Sequence, residues 1–415
     1  MTVVLTPSPS PRVDLLRQTS TIRARSRILL ERARTGQSVH FAVHDEAMAP
    51  LARQVAEITR QRYPDLKVPF HSRWRHFEAG GFDRVAALQT DFPVDAEEGA
   101  RRHIDLAVVS VLLDAGAGPE WSYEESGSAQ RYSRSEGLGV ASLHAFRNGL
   151  FSSDEGTPLR ADAKGLRSVD EAALASAFQV RDSNPLIGVS SRAALLRKLG
   201  DATAAAPQVF GEDGRPGHLY DYLTAAARGR GDAVTAQGIL TALLTHFSSI
   251  WPSDNCLDGQ SMGDCWKVGI DVGDADTQGW VPFHKLSQWL TYSLLEPFEW
   301  AGSTVAGQEA LTALPEYRNG GLLIDGGVLE PLAPNALTHP WYAGDPLIVE
   351  WRALTIALLD ELAPLVSGAL GCPPDKPLPL ACILEGGTWA AGRALAAEKR
   401  DGLPPLNIVS DGTVF

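Results

Sequence analysis

The chain has 415 residues, 44% hydrophobic and 21% charged, enough apolar surface to exclude wholesale disorder and a length that suits two or three domains or one large body with two lobes. Its 37 Lys and Arg against 50 Asp and Glu leave a net charge of −13, which excludes a grip on long nucleic acids by phosphate neutralisation and attachment to an anionic bilayer. The four cysteines, Cys256, Cys265, Cys372 and Cys382, contain no CxxC pair, so neither a disulfide framework nor a zinc ribbon is expected, and they read as reduced, cytoplasmic thiols.

The start, MTVVLTPSPSPR, lacks a basic segment followed by an apolar stretch and reads as a flexible tail over residues 1–11. Residues 12–415 are then one large helical domain, divisible into lobes at 12–165 and 166–415. Val13, Leu15, Leu16, Ile22, Ile28, Leu29 and Leu30 recur at helical spacing and predict one amphipathic helix from Arg12 to Arg34. A second runs from Ala47 to Arg62 and stops before Tyr63-Pro64, because the residue ahead of a proline resists the helical conformation. The longest apolar run lies near Leu106 to Leu113, too short to span a membrane, and its segment Ile104 to Gly116 reads as a buried helix.

Residues 116–165 are rich in Gly, Ser and charge and predict loops around a short helix at Glu136 to Phe146. Ser168 with Glu171 three residues on forms a capping box for a helix to Phe178, and Gly200 closes another that starts at Ser190. Two helices share Leu219 to Ile250, and a long loop follows from Trp251 to Trp280, of a length that is usually functional. Pro282 stands as the first residue of the next helix, with Leu286, Leu290, Ser293 and Leu294 on its core face and His284 and Gln288 on another. Asp345 and Pro346 open the clearest helix, to Val366, with Leu347, Trp351, Leu354, Leu358, Leu362 and Leu365 on one face. Leu403 to Phe415 reads as a terminal strand. The fold class is therefore mainly α with a few short β-strands.

Familiar motifs are weak. Gly259 to Gly263 spells GxSxG around Ser261, but without the strand and helix that aim a nucleophilic serine. Asp271, Asp274 and Asp276 lack the twelve-residue calcium pattern and read as a solvated acidic loop. Neither GxGxxG, a P-loop nor HExxH is present, so no cofactor and no metal is expected. More telling are charges set among apolar residues: Glu316, Arg318 and Asp325, then Glu350 and Arg352. A buried charge must be paired or used, because an unpaired one costs several kcal/mol. Structural ion networks and a functional site both satisfy that demand. Trp251, Trp266, Trp280, Trp289, Trp300, Trp351 and Trp389 crowd the second half, mostly as core, with room for one or two to stack on a flat substrate.

The runs VPFHKLSQWLTYSLLEP, LTALPEYRNGGLLIDGGVL, EWRALTIALLDELA and LEGGTWAAGR, with RSEGLGVASLHAFRNGLFSSD, SIWP and GDCWK, resemble an uncharacterised family of the uracil-catabolism (URC) pathway across nearly the whole chain. A more distant set, Phe283-His284-Lys285 with Gln288 and Leu290, Leu311-Thr312 with Glu316-Tyr317-Arg318, Glu350-Trp351-Arg352, and Thr388-Trp389, is similar in order and spacing to the queuosine-nucleotide N-glycosylase (queuosine salvage) family. That likeness implies a helical, DNA-glycosylase-like body. It departs at one place: the acidic residue central to that family falls here on Gly307, leaving Glu309 or Glu316 to take the role.

The resemblance implies an N-glycosyl hydrolase that cleaves ribosylurea or its 5′-phosphate, a ring-opened pyrimidine nucleotide, to urea and ribose or ribose phosphate. Such a reaction needs a carboxylate beside the cationic sugar and an acid to protonate the departing nitrogen. Candidate carboxylates are Glu316, which lies inside the matched motif and is favoured, Glu309, Asp264 and Asp325. Candidate substrate-binding residues are His284, Lys285, Gln288, Tyr317, Arg318, Glu350, Arg352 and Trp266. A non-catalytic protein that sequesters a pathway intermediate and a phosphoribosyl transferase are the alternatives, the latter disfavoured by the lack of a diphosphate-binding loop. The expected partner is a small nucleotide-derived molecule, with no nucleic acid, no membrane and no assigned oligomeric state.

Overall fold

Apolar runs punctuated by strong caps make helices the carriers of the core. The computed structural model describes residues 10–92, 95–114, 116–128, 130–251 and 255–409. Within them the chain is mainly helical, and its strands are two or three residues long, paired in two-stranded sheets. Among the described residues no helix is long and apolar enough to cross a membrane.

The helix Pro346–Ala369 is buried on every face over most of its length rather than along one stripe, although Leu365, expected on the core face, is 43% exposed. It packs on Thr19–Arg34 and Met48–Arg62, while Lys285–Trp300 packs on Ala96–Leu112 and Ala236–His246. The short helix Tyr317–Asp325 lies against Trp389–Arg400. That approach depends on glycine: a Cβ at Gly392 would sit 2.2 Å from the Arg318 carbonyl oxygen, and one at Gly320 2.3 Å from the Trp351 ring. One apolar cluster draws on residues from Leu30 to Leu406 and ties these helices together.

Several expected boundaries move, each for a local reason. The helix expected from Arg12 to Arg34 is two, Pro11–Leu16 and Thr19–Arg34, and the Leu16 carbonyl freed at the break accepts a hydrogen bond from His284 Nε2 at 3.1 Å. Residues 1–9 of the expected tail lie outside the described residues, and Ser10 caps the first helix. Asp170, not Ser168, caps the next expected start, its side chain accepting from Ala173 N, because Ser168 still belongs to the preceding turn. Gly200 lies inside Val189–Ala204, where a Cβ would meet the Ala163 carbonyl at 2.7 Å, so it serves close packing rather than termination. Pro282 ends a strand instead of opening a helix, because Trp280–Pro282 pairs antiparallel with Cys265–Lys267. The expected loop from Trp251 to Trp280 thus contains strands, and the GxSxG segment is the tight hairpin Cys256–Leu257 with Gln260–Ser261. Asn407–Ile408 forms the expected terminal strand, parallel to Pro340–Trp341, and residues 410–415 lie outside the described residues.

Two histidines make stability depend on pH. His103, among Trp74, Phe92 and Trp300, and His284 are each 4% exposed, and burial lowers both to about 4. Unfolding restores an ordinary value of about 6.5, so the stabilising contribution is full above that pH and is lost on acidification toward 4. We expect denaturant unfolding at pH 5 to show about 2 kcal/mol less stability per such histidine than at pH 7.5, with His103→Phe reducing the difference by about 2 kcal/mol. Equal stabilities at the two pH values would contradict these buried neutral rings.

Candidate active site

A cavity of about 260 Å³ opens where widely separated segments meet. Lys285 and Trp289 enter it from the first turns of Lys285–Trp300, and Glu316, Tyr317 and Arg318 from the start of Tyr317–Asp325. Arg134 and Ser135 begin Arg134–Arg147, and Trp389 begins Trp389–Arg400. His71, His76 and Asp114 complete one wall and the Gly402 to Pro404 turn another. Among the described residues three helices of nine residues or more, Arg134–Arg147, Lys285–Trp300 and Tyr317–Asp325, therefore start at this space, and helix N-termini favour negative charge.

Glu316 caps its helix with both carboxylate oxygens, accepting from Arg318 N at 2.7 Å and Asn319 N at 2.6 Å. Burial raises its carboxyl above the ordinary range, although the two amides and Lys285 pull the other way. Lys285 has its ammonium lowered by burial, with Glu316 and Asp114 opposing. Burial thus shifts the two groups in opposite directions, each toward its neutral form. Tyr317 is pushed up to about 12 by burial and the neighbouring Glu316, so its hydroxyl stays protonated. The Arg318 guanidinium lies over the Tyr317 ring at 5.2 Å and donates to the Gly402 carbonyl at 3.0 Å.

Asp114 is buried beside Arg73, whose Nη1 lies 2.8 Å away. Burial alone would raise the Asp114 carboxyl, but Arg73, His76 and Lys285 outweigh it and hold it below the ordinary range. His76 meets the Trp289 ring edge to face at 5.6 Å and is lowered to about 4 by burial and then by Arg73. Arg134 adopts φ +55°, a left-handed conformation uncommon for a side chain with a Cβ, and no carboxylate among the described residues pairs with it.

The other expected site residues lie outside this cavity. Asp264 is a clamp: Arg352 Nη1 and Nη2 reach its two oxygens at 2.6 and 2.7 Å, Trp266 Nε1 donates at 2.8 Å and Lys285 N at 3.0 Å. With its oxygens saturated it fixes the start of the Lys285–Trp300 helix, and although burial would raise its carboxyl, Arg352 brings it to about 2. Arg352 also lies over the Phe283 ring at 4.1 Å. His284 stands at the helix N-cap with φ +49°, below the cavity wall. Gln288 is fully buried and bridges to Thr312, accepting from its N at 2.9 Å and donating to its Oγ1 at 2.7 Å, which braces the segment leading to Glu316. Asp325 sits at the far end of its helix, ion-paired to Arg400. Glu350 is buried toward Ser38 and Arg32, and burial raises its carboxyl. Glu309 is exposed in the turn Gln308–Ala310. Asp271 accepts from Gln278 Nε2, and among the described residues no three His, Cys, Asp or Glu side chains gather as metal ligands.

Sequence reasoning missed His71, His76, Asp114 and Arg134. Only Asp114, a charge closing the apolar run from Ile104, carried a local signal of burial. Trp289 and Trp389 were visible only as members of the tryptophan-rich half.

Comparison with known proteins gives a consistent relationship. The pattern of a family described as "Protein of unknown function (DUF1688)" matches residues 15–415. The chain is 39% identical over 414 residues to "Uracil catabolism protein 4" of Lachancea kluyveri, covering 92% of this chain and 93% of that protein. It is 38% identical over 407 residues to "Protein urg3" of Schizosaccharomyces pombe, covering 95% and 96% respectively.

Proposed function

Because the chain belongs to the DUF1688 family, we propose that it acts in uracil catabolism as a hydrolase of the N-glycosidic bond of ribosylurea or its 5′-phosphate. The name of one relative, "Uracil catabolism protein 4", suggests the pathway. The observation that carries the reaction is the joining in one cavity of a buried, backbone-held carboxylate, Glu316, with Lys285, Arg318 and two indoles. The carboxylate stabilises positive charge developing on the sugar and accepts the proton of the attacking water, as in glycoside hydrolysis. Arg318, Arg134 and the converging helix starts favour an anionic substrate, and an arginine grips phosphate with two parallel hydrogen bonds.

Incubating the protein with ribosylurea 5′-phosphate should release urea, and the unphosphorylated compound should react with a higher KM. Tight binding of either compound without any urea would favour sequestration of a pathway intermediate over hydrolysis.

A further inference from the structure

His71 is tied down by a chain of contacts that the roles above do not use. Its Nδ1 lies 2.8 Å from Glu385 Oε2, and its main-chain N–H donates to the Ala381 carbonyl at 3.0 Å. Glu385 is held in turn: Arg62 Nη2 donates to Oε1 at 3.0 Å and the Tyr63 hydroxyl at 3.3 Å. Burial would raise the Glu385 carboxyl, but His71 and Arg62 outweigh it and keep it ionised.

The backbone at Glu385 is unusual as well. Residues Leu384–Thr388 form a π-helical turn, a rare element that is frequent at functional sites. Gly386 and Gly387 press that turn onto the Met48–Arg62 helix, where a Cβ on Gly387 would meet Thr59 and Val55 side chains at 2.5 Å. The turn delivers Glu385 to His71 and, at its end, Trp389 to the cavity. The His71 ring is 8% exposed, lines the cavity, and lies between the Trp289 and Trp389 rings at 6.5 and 6.3 Å. With Nδ1 committed to an anion, Nε2 is the nitrogen left for a ligand, and it has no partner among the described residues. A carboxylate that orients a histidine in this way fixes which ring nitrogen exchanges protons.

We propose that His71 is the general acid for the departing nitrogen and that Glu385 is its positioning residue. This rests on the glycosidic reading above. In the step, the C1′–N bond breaks and its electron pair stays on the ureido nitrogen, which takes the Nε2 proton of the imidazolium and leaves as neutral urea. Water bonds to C1′ and gives its proton to Glu316, and exchange with solvent then removes that proton from Glu316 and returns one to His71.

An acid for the leaving group matters only when the leaving group is poor. Two substrates separate the possibilities: ribosylurea 5′-phosphate, and a nitrophenyl riboside 5′-phosphate whose phenolate departs without protonation. His71→Asn should lose about 10²- to 10⁴-fold in kcat on the ureido substrate yet stay within about tenfold of the parent on the nitrophenyl substrate. Glu385→Gln should show a smaller loss with the same rescue, and it carries the comparison if His71→Asn does not fold. Equal losses on both substrates from a parent that turns them over would overturn the role of His71 alone. A parent protein that cleaves neither would overturn the hydrolase reading, and the acid with it.

Discussion

Asp264→Ala will destabilise the protein by about 3–5 kcal/mol, although Asp264 lies behind the cavity and not in it. The Arg352 side chain is 0% exposed, and removing Asp264 takes away the carboxylate that both of its Nη atoms meet, at 2.6 and 2.7 Å. A buried guanidinium would lose its carboxylate partner, and the Trp266 Nε1 and Lys285 main-chain N–H donors would lose their acceptor as well. Asp264→Asn keeps the shape but not the charge and should fall between the two. Against a total of about 5–15 kcal/mol for an ordinary folded protein, the loss is large. Glu309→Ala is the matched comparison: exposed in its turn, it should change stability by less than about 0.5 kcal/mol. Equilibrium denaturation of the three variants reads this directly, and an Asp264→Ala protein as stable as the parent would show that the clamp does not hold the helix start.

Glu316→Gln should have the opposite profile, a small effect on folding and a large one on turnover. The amide oxygen of glutamine still accepts one of the two bonds that the carboxylate receives from Arg318 N and Asn319 N, so the lost cap costs about 1 kcal/mol. What disappears is the negative charge facing the sugar cation and the base for water. A loss on the order of 10³-fold in kcat is expected, with binding of ribose 5-phosphate little changed because Arg318 and Arg134 remain. Glu316→Gln that unfolds readily but retains kcat where it is folded would make Glu316 a capping residue only.

These two carboxylates show what the sequence could and could not display. Glu316 stood out as a charge among apolar neighbours and Asp264 only as a candidate carboxylate in the GDCWK run, and local pattern alone gives no way to separate a saturated ion pair from a group facing a cavity. The partner that saturates Asp264 is 88 residues away, at Arg352. Lys285 and Tyr317 were named through the runs similar to a known family, and Glu316 and Arg318 also as charges set among apolar residues. His71, Arg134 and Glu385 were not, because their importance comes from remote segments meeting and none has a distinctive local pattern, while the one local signal at Asp114 spoke of burial and not of a cavity. The same physics separates the correct and shifted helix boundaries. Asp345 and Pro346 opened their helix where expected, since cap and proline act within one turn. Pro282 did not, since pairing with Cys265–Lys267 kept it extended. Gly200 reads as a stop in sequence and as a close helix contact in space.

The central claim is that the bond broken is the one between the sugar and nitrogen. Ribosylurea 5′-phosphate carrying ¹³C and ¹⁵N throughout its ureido group, followed by mass spectrometry during turnover, tests it most directly. Cleavage at C1′ predicts that the whole label leaves as intact urea with unlabelled ribose 5-phosphate as the other product. Labelled ammonia, or ¹⁵N retained on the sugar, would place the attack at the ureido carbonyl and contradict the account.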